Sequence, residues 1–317
     1  MAPTVIAGAG VVIPTTGRPD IVRQSVASLA ARRTVPEVVV IAGAAREDIP
    51  DIPVMAVPVI TTIAPAKGSS IQRNHGVRQL PDAIRNVLFL DDDVEVHDDY
   101  CLEVDRVFGA NPDVAAFMGS LLTTGRGINR CAARQLLDTH RIDPRIPAFE
   151  FLPKRWPGLY GCTMNVRRAL IQKEPFDERL PLYAIGEDTE IGFRLRRLGR
   201  VGGSGRCPII HLAEAVGRIS EVGVGYAQVI NYLYFVRKGI GYPRMGGYFQ
   251  ALLATPATNL VFAALPWLDP RKSVDRGRRS RGNLLALRDA LAGRIDPQRL
   301  VDVLASERKS GASVPGR

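Results

Sequence analysis

Three adjacent aspartates are the residues of this chain best suited to chemistry. Asp91, Asp92 and Asp93 follow the apolar run VLFL in the segment VLFLDDDVEV. One aspartate would be enough to cap a turn, whereas three neighbouring carboxylates repel one another. A hard divalent cation such as Mg²⁺ or Mn²⁺ removes this repulsion, and Mg²⁺ is often held by one or two carboxylates together with substrate phosphates. The pattern therefore favours metal-assisted phosphate binding over turn capping.

The elements that must position these aspartates alternate between strand and helix over the first hundred residues. GVVIP, EVVVIAGA and NVLFL predict strands, whereas DIVRQSVASLAAR, with Asp20 as its expected N-cap, and SSIQRNHGVRQL predict helices. Continuous apolar strands are typical of a parallel sheet that is buried on both faces. Ligands of such sheets bind at the carboxyl ends of the strands. The loop TTGRP and the three aspartates both lie at such ends.

The remainder of the chain has a less clear pattern, followed by a strand, further helices and a helical C-terminal region. A helix is expected over Arg130–Thr139, LYGCTMNVRRALI predicts a strand that leads into a helix, and GEDTEIGFRLRRLG predicts a helix that ends at Gly199. We therefore expect one domain over residues 1–221, with its halves at about 1–110 and 111–221. Helices are expected over 222–304, and a disordered tail over 305–317.

Composition and charge restrict the class of protein. The chain has 317 residues, of which 46% are hydrophobic and 23% charged, as in a soluble globular protein. Its four cysteines are far apart, as expected of free thiols in a reducing compartment.

The net charge is +10, much of it in RKSVDRGRRSRG. This run could attract nucleic acid, anionic lipid or a phosphorylated substrate, or could be a solvated loop. No nucleic-acid-binding motif accompanies it, so nucleic acid is not expected.

The uncharged stretch from Met245 to Leu268 is interrupted by Pro256 and Pro266. These interruptions disfavour a membrane span. Contact with a bilayer surface remains open.

Several blocks, in order, resemble family 2 glycosyltransferases, which are inverting GT-A fold enzymes that use nucleotide-sugar donors. FLDDDVEV resembles their Asp-x-Asp motif, and the other matching blocks are VVIPTTGRPD, GSSIQRNHGV and GCTMNVRRALI…PFDERL…GEDTEIGFRLRRLG. The resemblance extends over roughly residues 8 to 240. It implies an α/β fold of the GT-A type, a Rossmann-like nucleotide-binding sheet with an acceptor-binding half, and here also a C-terminal helical segment.

The resemblance also implies a donor and metal site. Asp93 would bind Mn²⁺ or Mg²⁺, with Asp91 and His211 as further ligands, although a lone histidine is as often structural. Asp91 and Asp92 would contact ribose, base or metal-bound water. The nucleotide pocket would be completed by Pro14, Thr15, Thr16, Arg18, Arg73 and Arg218, the last on a loop that closes over the diphosphate.

Asp188 matches the general base of the family, and Glu187 beside it would orient that base or bind the acceptor. A carboxylate within hydrogen-bond reach of a sugar hydroxyl can accept its proton during attack. Such one-step attack inverts the anomeric configuration. The alternative is that Asp188 only caps the helix that begins near Thr189. Trp156 and Tyr160 could stack on an acceptor sugar or pack in the core.

One departure from the family pattern concerns the donor. Many relatives end the second strand with an acidic residue, where this chain has Ala42 and Gly43. The nucleotide could therefore be UDP, GDP or dTDP, and donor binding could be weakened. Two alternatives stay open: a nucleotidyltransferase, which usually has a glycine-rich loop and a lysine that TTGRPD lacks, and a non-catalytic carbohydrate- or phosphate-binding protein on the same scaffold.

The cellular setting follows from the resemblance and from the C-terminal region. We expect a glycan or lipid-linked acceptor in bacterial polysaccharide or glycolipid assembly. The protein would be cytoplasmic, with peripheral contact at the anionic inner face of the membrane. The sequence carries no signal for the oligomeric state.

Overall fold

The computed structural model describes residues 2–124, 128–151, 158–214, 219–241, 244–271 and 274–311. The chain forms two compact units. The first contains Met1–Asp177 and Ile191–Gly217, and the second contains Glu178–Glu190 and Arg218–Arg317. This division differs from the expected one at residue 221, because the segment that carries Glu187 and Asp188 belongs with the C-terminal helices.

The first unit is built on one mixed sheet, in which the described residues form nine strands. They are β1 Thr4–Thr15, β2 Thr34–Gly43, β3 Val59–Ile63, β4 Asn86–Leu90, β5 Val94–Val96, β6 Val114–Thr124, β7 Glu150–Phe151, β8 Thr163–Arg167 and β9 Arg200–His211. Their order is β3-β2-β1-β4-β8-β6-β9-β5, with β7 paired to β9. Strands β1 to β4 are parallel, as predicted. Strand β8 is antiparallel to both β4 and β6, so the second half of the sheet is mixed.

In the described residues, six α-helices accompany the sheet. They are α1 Pro19–Ala30, α2 Ser69–Gln79, α3 Tyr100–Ala110, α4 Arg130–Thr139, α5 Arg168–Lys173 and α6 Glu187–Leu195, the last beginning in the segment of the second unit. Helix α4 has the predicted bounds. The prediction of Asp20 as N-cap is wrong, because α1 begins at Pro19, whose fixed φ suits the first helical position. Asp20 instead lies in the first turn and pairs with Arg23.

The core lies on both faces of the sheet, and the approach of α2 to β1 is unusually close. On one face, Val22, Val26 and Leu29 of α1 are buried, as their helical spacing predicts. On the other face, a Cβ added at Gly76 of α2 would lie 2.5 Å from Cγ1 of Val12. Glycine therefore lets α2 lie directly on the strand, which sets the position of the α2 side chains near the strand end.

The second unit is helical, as predicted from about residue 222. Its helices are α7 Glu221–Arg237, α8 Arg244–Phe249, α9 Thr255–Ala264, α10 Arg276–Leu291 and α11 Arg299–Gly311, with a π-helical turn at Gln250–Ala254 between α8 and α9. Helix α11 includes residues 305–311, which we expected to be disordered. The reason is that Glu307 accepts hydrogen bonds from Ser220 and Arg278.

Helices α7 and α10 cross at two glycines. A Cβ at Gly225 would lie 2.1 Å from the carbonyl oxygen of Arg279, and one at Gly282 would lie 2.1 Å from that of Val222. The amide of Asn283 donates to the carbonyl oxygen of Gly225 at 2.7 Å. The two backbones are therefore in direct contact.

Among the residues described here, no helix combines the length and the apolar character that a membrane crossing requires.

Candidate active site

Three metal-ligating side chains converge at the end of β4. One ligand atom each from Asp91, Asp93 and His211 lies within 4.8 Å of the other two. The aspartates occupy the turn between β4 and β5, and His211 ends β9 and is paired with Val94 of β5. Strand register therefore brings together residues that are far apart in sequence. Two carboxylates and an imidazole are a fitting donor set for a divalent cation.

Asp93 is held by contacts from the segment after β9. Its Oδ1 lies 3.0 Å from Nε2 of His211, and its Oδ2 accepts from the backbone N–H of Glu214 at 2.9 Å. Burial alone would raise the pKa of Asp93, but the hydrogen bond with His211 and the charges of His211 and Arg18 outweigh this effect and lower the pKa. Asp93 is therefore ionised and oriented, as a metal ligand must be.

Asp92 lies inside the protein rather than in the site itself. Its side chain is fully buried, with the Thr15 hydroxyl donating at 2.7 Å and a guanidinium nitrogen of Arg18 at 3.2 Å. The Ser25 hydroxyl donates to its backbone carbonyl. Burial raises the pKa of Asp92 to about 7, against the lowering effects of Arg18 and Thr15. Its carboxylate thus ties the aspartate turn to the end of β1 and the loop after it.

Two guanidinium groups flank the aspartates. Nη2 of the buried Arg73 donates to Oδ1 of Asp91 at 2.9 Å and to the carbonyl oxygen of Gly161 at 3.1 Å. Nη1 of Arg18 lies 3.5 Å from Oδ2 of Asp93. Because both groups are permanently charged, this edge of the sheet combines metal ligands with anion-binding groups.

Gln72 supports the loop after β1, and the sequence analysis did not single it out. Its Nε2 donates to the carbonyl oxygens of Thr15 at 2.6 Å and Ala42 at 2.7 Å, and its Oε1 accepts from the Thr16 hydroxyl at 3.4 Å. The side chain therefore joins the carboxyl ends of β1 and β2. Its place beside Arg73 in the QRN motif could have indicated this role.

Asp48 is an acidic residue near the position where many relatives have an acid and this chain has Ala42 and Gly43. It is buried, and its carboxylate accepts from the backbone N–H groups of Gly17 at 2.6 Å, Ala44 at 2.8 Å and Ala45 at 2.9 Å. These bonds connect the loops after β1 and β2. The sequence analysis did not identify Asp48. The pair of acidic residues in the segment AARED, just after the second strand, could have drawn attention to it.

Glu187 and Asp188, in the second unit, follow a strained stretch of backbone. The φ angle is 56° at Leu182, 45° at Ala184 and 88° at Gly186. Positive φ is uncommon for residues with a Cβ, and clusters of such strain occur at functional sites.

Contacts within the second unit hold this stretch. The Asn231 amide donates to the carbonyl oxygen of Ile185 at 2.8 Å, and the N–H of Glu187 donates to that of Ala184 at 2.9 Å. Helix α6 begins at Glu187. Asp188 therefore lies in the first turn, half-buried, and its Oδ1 accepts from the N–H of Thr189 at 2.7 Å.

The expected site residues are thus distributed between the two units. The first unit brings together Thr15, Arg18, Arg73, Asp91, Asp92, Asp93 and His211, with Pro14 and Thr16 on the same strand end and loop. Glu187 and Asp188 belong to the second unit. Tyr160 is 45% exposed. Arg218 and Trp156 lie outside the described residues.

The fold is that of GT-A glycosyltransferases. Over 95% of this chain and 91% of the other, it is similar to Staphylococcus aureus TarS 1-349, with a TM-score of 0.52 and 15% identity. It is also similar to the mannosyltransferase PcManGT from Pyrobaculum calidifontis, in complex with GDP-Man and Mn²⁺, over 89% of this chain and 88% of that one, with a TM-score of 0.56 and 13% identity. Comparison with curated protein sequences finds no match.

The family is defined by sequence as well. The model of glycosyl transferase family 2 matches residues 10–173, just over half of the chain, including Arg73 and all three adjacent aspartates. The chain belongs to glycosyl transferase family 2.

Proposed function

We propose that the protein transfers a sugar from a nucleoside diphosphate sugar to a hydroxyl acceptor, with inversion at the anomeric carbon and with a divalent cation. The observation that carries this proposal is the convergence of Asp91, Asp93 and His211 beside the guanidinium groups of Arg18 and Arg73. A divalent cation and fixed positive charge each neutralise the charge of a diphosphate.

Asp91, Asp93 and His211 would hold the cation. When bound, it supplies positive charge to the diphosphate, whose negative charge grows as the glycosidic bond breaks. Of the two ions expected, Mn²⁺ is the better fit, since Mg²⁺ prefers oxygen ligands in near-ideal octahedral geometry and one donor here is an imidazole nitrogen.

Protein side chains bind the leaving group of the donor and hold the loops around it. Arg18 and Arg73 stabilise the leaving nucleoside diphosphate, and their own carboxylate partners keep them in place before the donor binds. Gln72 and Asp48 hold the loops on which the nucleotide rests. The donor site is therefore pre-organised, which reduces the entropy lost on binding.

Asp188 is the proposed general base. It accepts the proton of the acceptor hydroxyl as that oxygen attacks the anomeric carbon on the side opposite the leaving group, and Glu187 orients it or binds the acceptor. The strained backbone between Leu182 and Gly186 supports this role, because strain is retained where the position of a side chain matters. A helix cap alone gives no reason for such strain.

The donor is a UDP-, GDP- or dTDP-linked sugar, and the acceptor a glycan or lipid-linked glycan in bacterial polysaccharide or glycolipid assembly. Structures of similar fold contain UDP-GlcNAc, in TarS 1-349, and GDP-Man with Mn²⁺, in PcManGT. Both nucleotides are thus compatible with this scaffold.

A donor-binding screen tests the proposal. Purified protein is titrated with UDP-, GDP- and dTDP-sugars in Mn²⁺, Mg²⁺ or EDTA, and donor hydrolysis is followed in the same samples. We expect one nucleotide to bind with metal, and EDTA or Asp93→Asn to abolish that binding. Asp51→Asn, which removes an exposed carboxylate outside the site, is the matched control and should bind as the wild type does. Absence of binding to every donor with either metal would overturn the proposal.

A further inference from the structure

The second unit exposes a run of large apolar side chains, here called the apolar strip. It consists of Phe249, Leu253, Leu260, Val261, Trp267 and Leu268, which are between 47% and 71% exposed. These residues lie on α8, the π-helical turn, α9 and the 3₁₀ turn at Pro266–Leu268. No charged residue occurs between Met245 and Leu268. Extended apolar patches at the surface of a protein mark contact surfaces.

A buried polar network determines which side of α9 faces outward. The amide of Asn259 donates to Asn283 of α10 at 2.8 Å and accepts from Arg276 at 2.8 Å. Arg276 in turn forms an ion pair with the buried Asp269 at 2.6 Å. This side of α9 is therefore fastened to α10, and the apolar strip is on the side that the network leaves exposed.

Helix α10 adds a face on which arginine and leucine alternate, here called the Arg–Leu face. Arg281, Leu284, Arg288 and Leu291 follow one another at spacings of three and four residues and are all exposed, Leu284 by 66% and Leu291 by 91%. The acidic residue within the helix, Asp289, is buried and pairs with Arg299 at 3.0 Å and, more distantly, with the exposed Arg288 at 3.8 Å. The exposed face is therefore cationic and apolar at once.

Almost all of the excess positive charge belongs to this part of the chain. Residues 218–317 contain 16 Lys and Arg but 7 Asp and Glu, so they account for +9 of the net charge of +10. Two copies of the protein that met through this surface would bring like charges together, which is unfavourable. An anionic lipid surface attracts the same charges.

We propose that the apolar strip and the Arg–Leu face dock the protein on an anionic lipid bilayer. The apolar strip lies in the boundary between headgroups and acyl chains, where Trp267 matches the preference of tryptophan for that depth. Arg281 and Arg288 contact lipid phosphates while their aliphatic stems lie beside the leucines. This surface goes beyond the proposed reaction, because docking requires neither donor nor metal.

Vesicle co-flotation of the full-length protein tests the proposal. The vesicles are phosphatidylcholine with phosphatidylglycerol, or phosphatidylcholine alone, at low and high salt. One variant combines Leu253→Gln with Leu260→Gln, and a second combines Arg281→Gln with Arg288→Gln. The charge-matched control combines Arg23→Gln with Arg78→Gln, two exposed arginines of the first unit. Circular dichroism establishes that each variant is folded.

We expect the wild type and the control to bind the anionic vesicles and to be released by salt. Each surface variant should bind roughly tenfold more weakly or worse, since an interfacial arginine or a buried leucine each contributes severalfold. Equal binding by wild type and surface variants, or no binding of the wild type at low salt, would overturn the proposal. Self-association in sedimentation that the leucine variant abolishes, without vesicle binding, would assign the surface to a second copy instead.

Discussion

At the scale of single residues, the three adjacent aspartates have three different environments. Asp91 is partly exposed beside Arg73, Asp93 is ionised beside His211, and Asp92 is buried beneath the loop after β1. Each carboxylate has a cationic or hydroxyl partner that offsets part of their mutual repulsion, and the remaining charge of Asp91 and Asp93 contributes to the raised pKa of Asp92. The triplet thus combines two proposed metal ligands with a buried residue between them.

The role of Asp188 leads to a prediction about turnover. Asp188→Asn keeps the shape of the side chain but removes its capacity to accept a proton, so the turnover number should fall by about 10²–10⁴-fold, with unchanged donor affinity. Steady-state kinetics and donor titration measure the two quantities. Asp302→Asn, at an exposed position of α11, is the control and should retain wild-type turnover. An Asp188→Asn variant with full turnover would exclude Asp188 as the base.

Asp289 leads to a prediction about pH. It is buried, accepts from the Tyr226 hydroxyl at 2.9 Å and pairs with Arg299 at 3.0 Å. Burial acts to raise its pKa, but the bonds from Arg299 and Tyr226 and the nearby arginine charges lower it overall. A carboxylate with a depressed folded-state pKa contributes stability above its ordinary pKa of about 4, and this stability is lost as the pH falls through the folded value.

Acid unfolding of the second unit measures this contribution. Asp289→Asn should lower the free energy of unfolding by about 1–3 kcal/mol at neutral pH, because the buried side chain no longer offers a charged acceptor to Arg299 and Tyr226. Below the folded-state pKa the difference from the wild type should shrink. Glu307→Gln, in the same unit, provides a comparison at a less buried ion pair. If the variant and the wild type differed in unfolding free energy by the same amount from neutral to strongly acid pH, the depressed pKa of Asp289 would be contradicted.

At the scale of secondary-structure elements, the position of α2 governs the site. The helix carries Gln72 and Arg73, and Gly76 lets it lie on β1. In Gly76→Ala, the new methyl group meets Val12, so α2 must move outward. We expect a loss of about 1–3 kcal/mol of stability and weaker donor binding, because Arg73 and Gln72 move with the helix.

Gly109→Ala is the matched control for this prediction. Gly109 lies in α3, and a Cβ there would meet no atom within 4 Å. Since alanine favours the helix over glycine, this variant should be more stable than the wild type by about 0.5–1 kcal/mol. Thermal denaturation compares the two variants. If Gly76→Ala were as stable as the wild type, the space between α2 and β1 would be large enough for a methyl group.

The elements that sequence reasoning predicted well are those with strong local patterns. Strands β1, β2 and β4 are largely apolar runs, and α1 has clear helical periodicity. Strand β9 is different, because its sequence RVGGSGRCPIIH lacks alternation and its pairing with β6 shifts register three times. Its strand pairs depend on contacts distant in the chain, which no local pattern encodes.

The same distinction applies to the candidate site. The aspartate triplet, Arg18 and Arg73 lie in motifs, and ion pairs join them in the structure. Asp48 could not be placed from the sequence, because its carboxylate reaches back to backbone N–H groups of two loops. The burial of Asp92 could not be predicted from the sequence either, because it depends on contacts with Thr15 and Ser25, which are distant in the chain.

At the scale of the whole molecule, binding of a cation should be visible as added stability. A ligand that binds only the folded state at 100 times its Kd adds about 2.7 kcal/mol. The first unit should therefore unfold at a higher Tm when Mn²⁺ is bound. For a domain of this size, that gain in stability corresponds to a rise in Tm of roughly 5 °C. Differential scanning fluorimetry with and without EDTA measures this shift.

Two variants sharpen the metal experiment. Asp93→Asn should lose the Mn²⁺-dependent rise in Tm, whereas Asp51→Asn should retain it. Because the readout is unfolding, it does not depend on knowing the donor or the acceptor. A wild-type protein whose Tm is insensitive to Mn²⁺ would contradict a cation site formed by Asp91, Asp93 and His211.

The glycine crossing of α7 and α10 has a consequence for how this protein can evolve. Every mutation of Gly225 or Gly282 that changes the amino acid introduces a Cβ, and in each case the atom it would strike belongs to the backbone of the facing helix. A neighbouring side chain cannot be shortened to make room for it, so a compensating second mutation is not available. We therefore expect both positions to be glycine in related proteins, even where the neighbouring arginines are substituted.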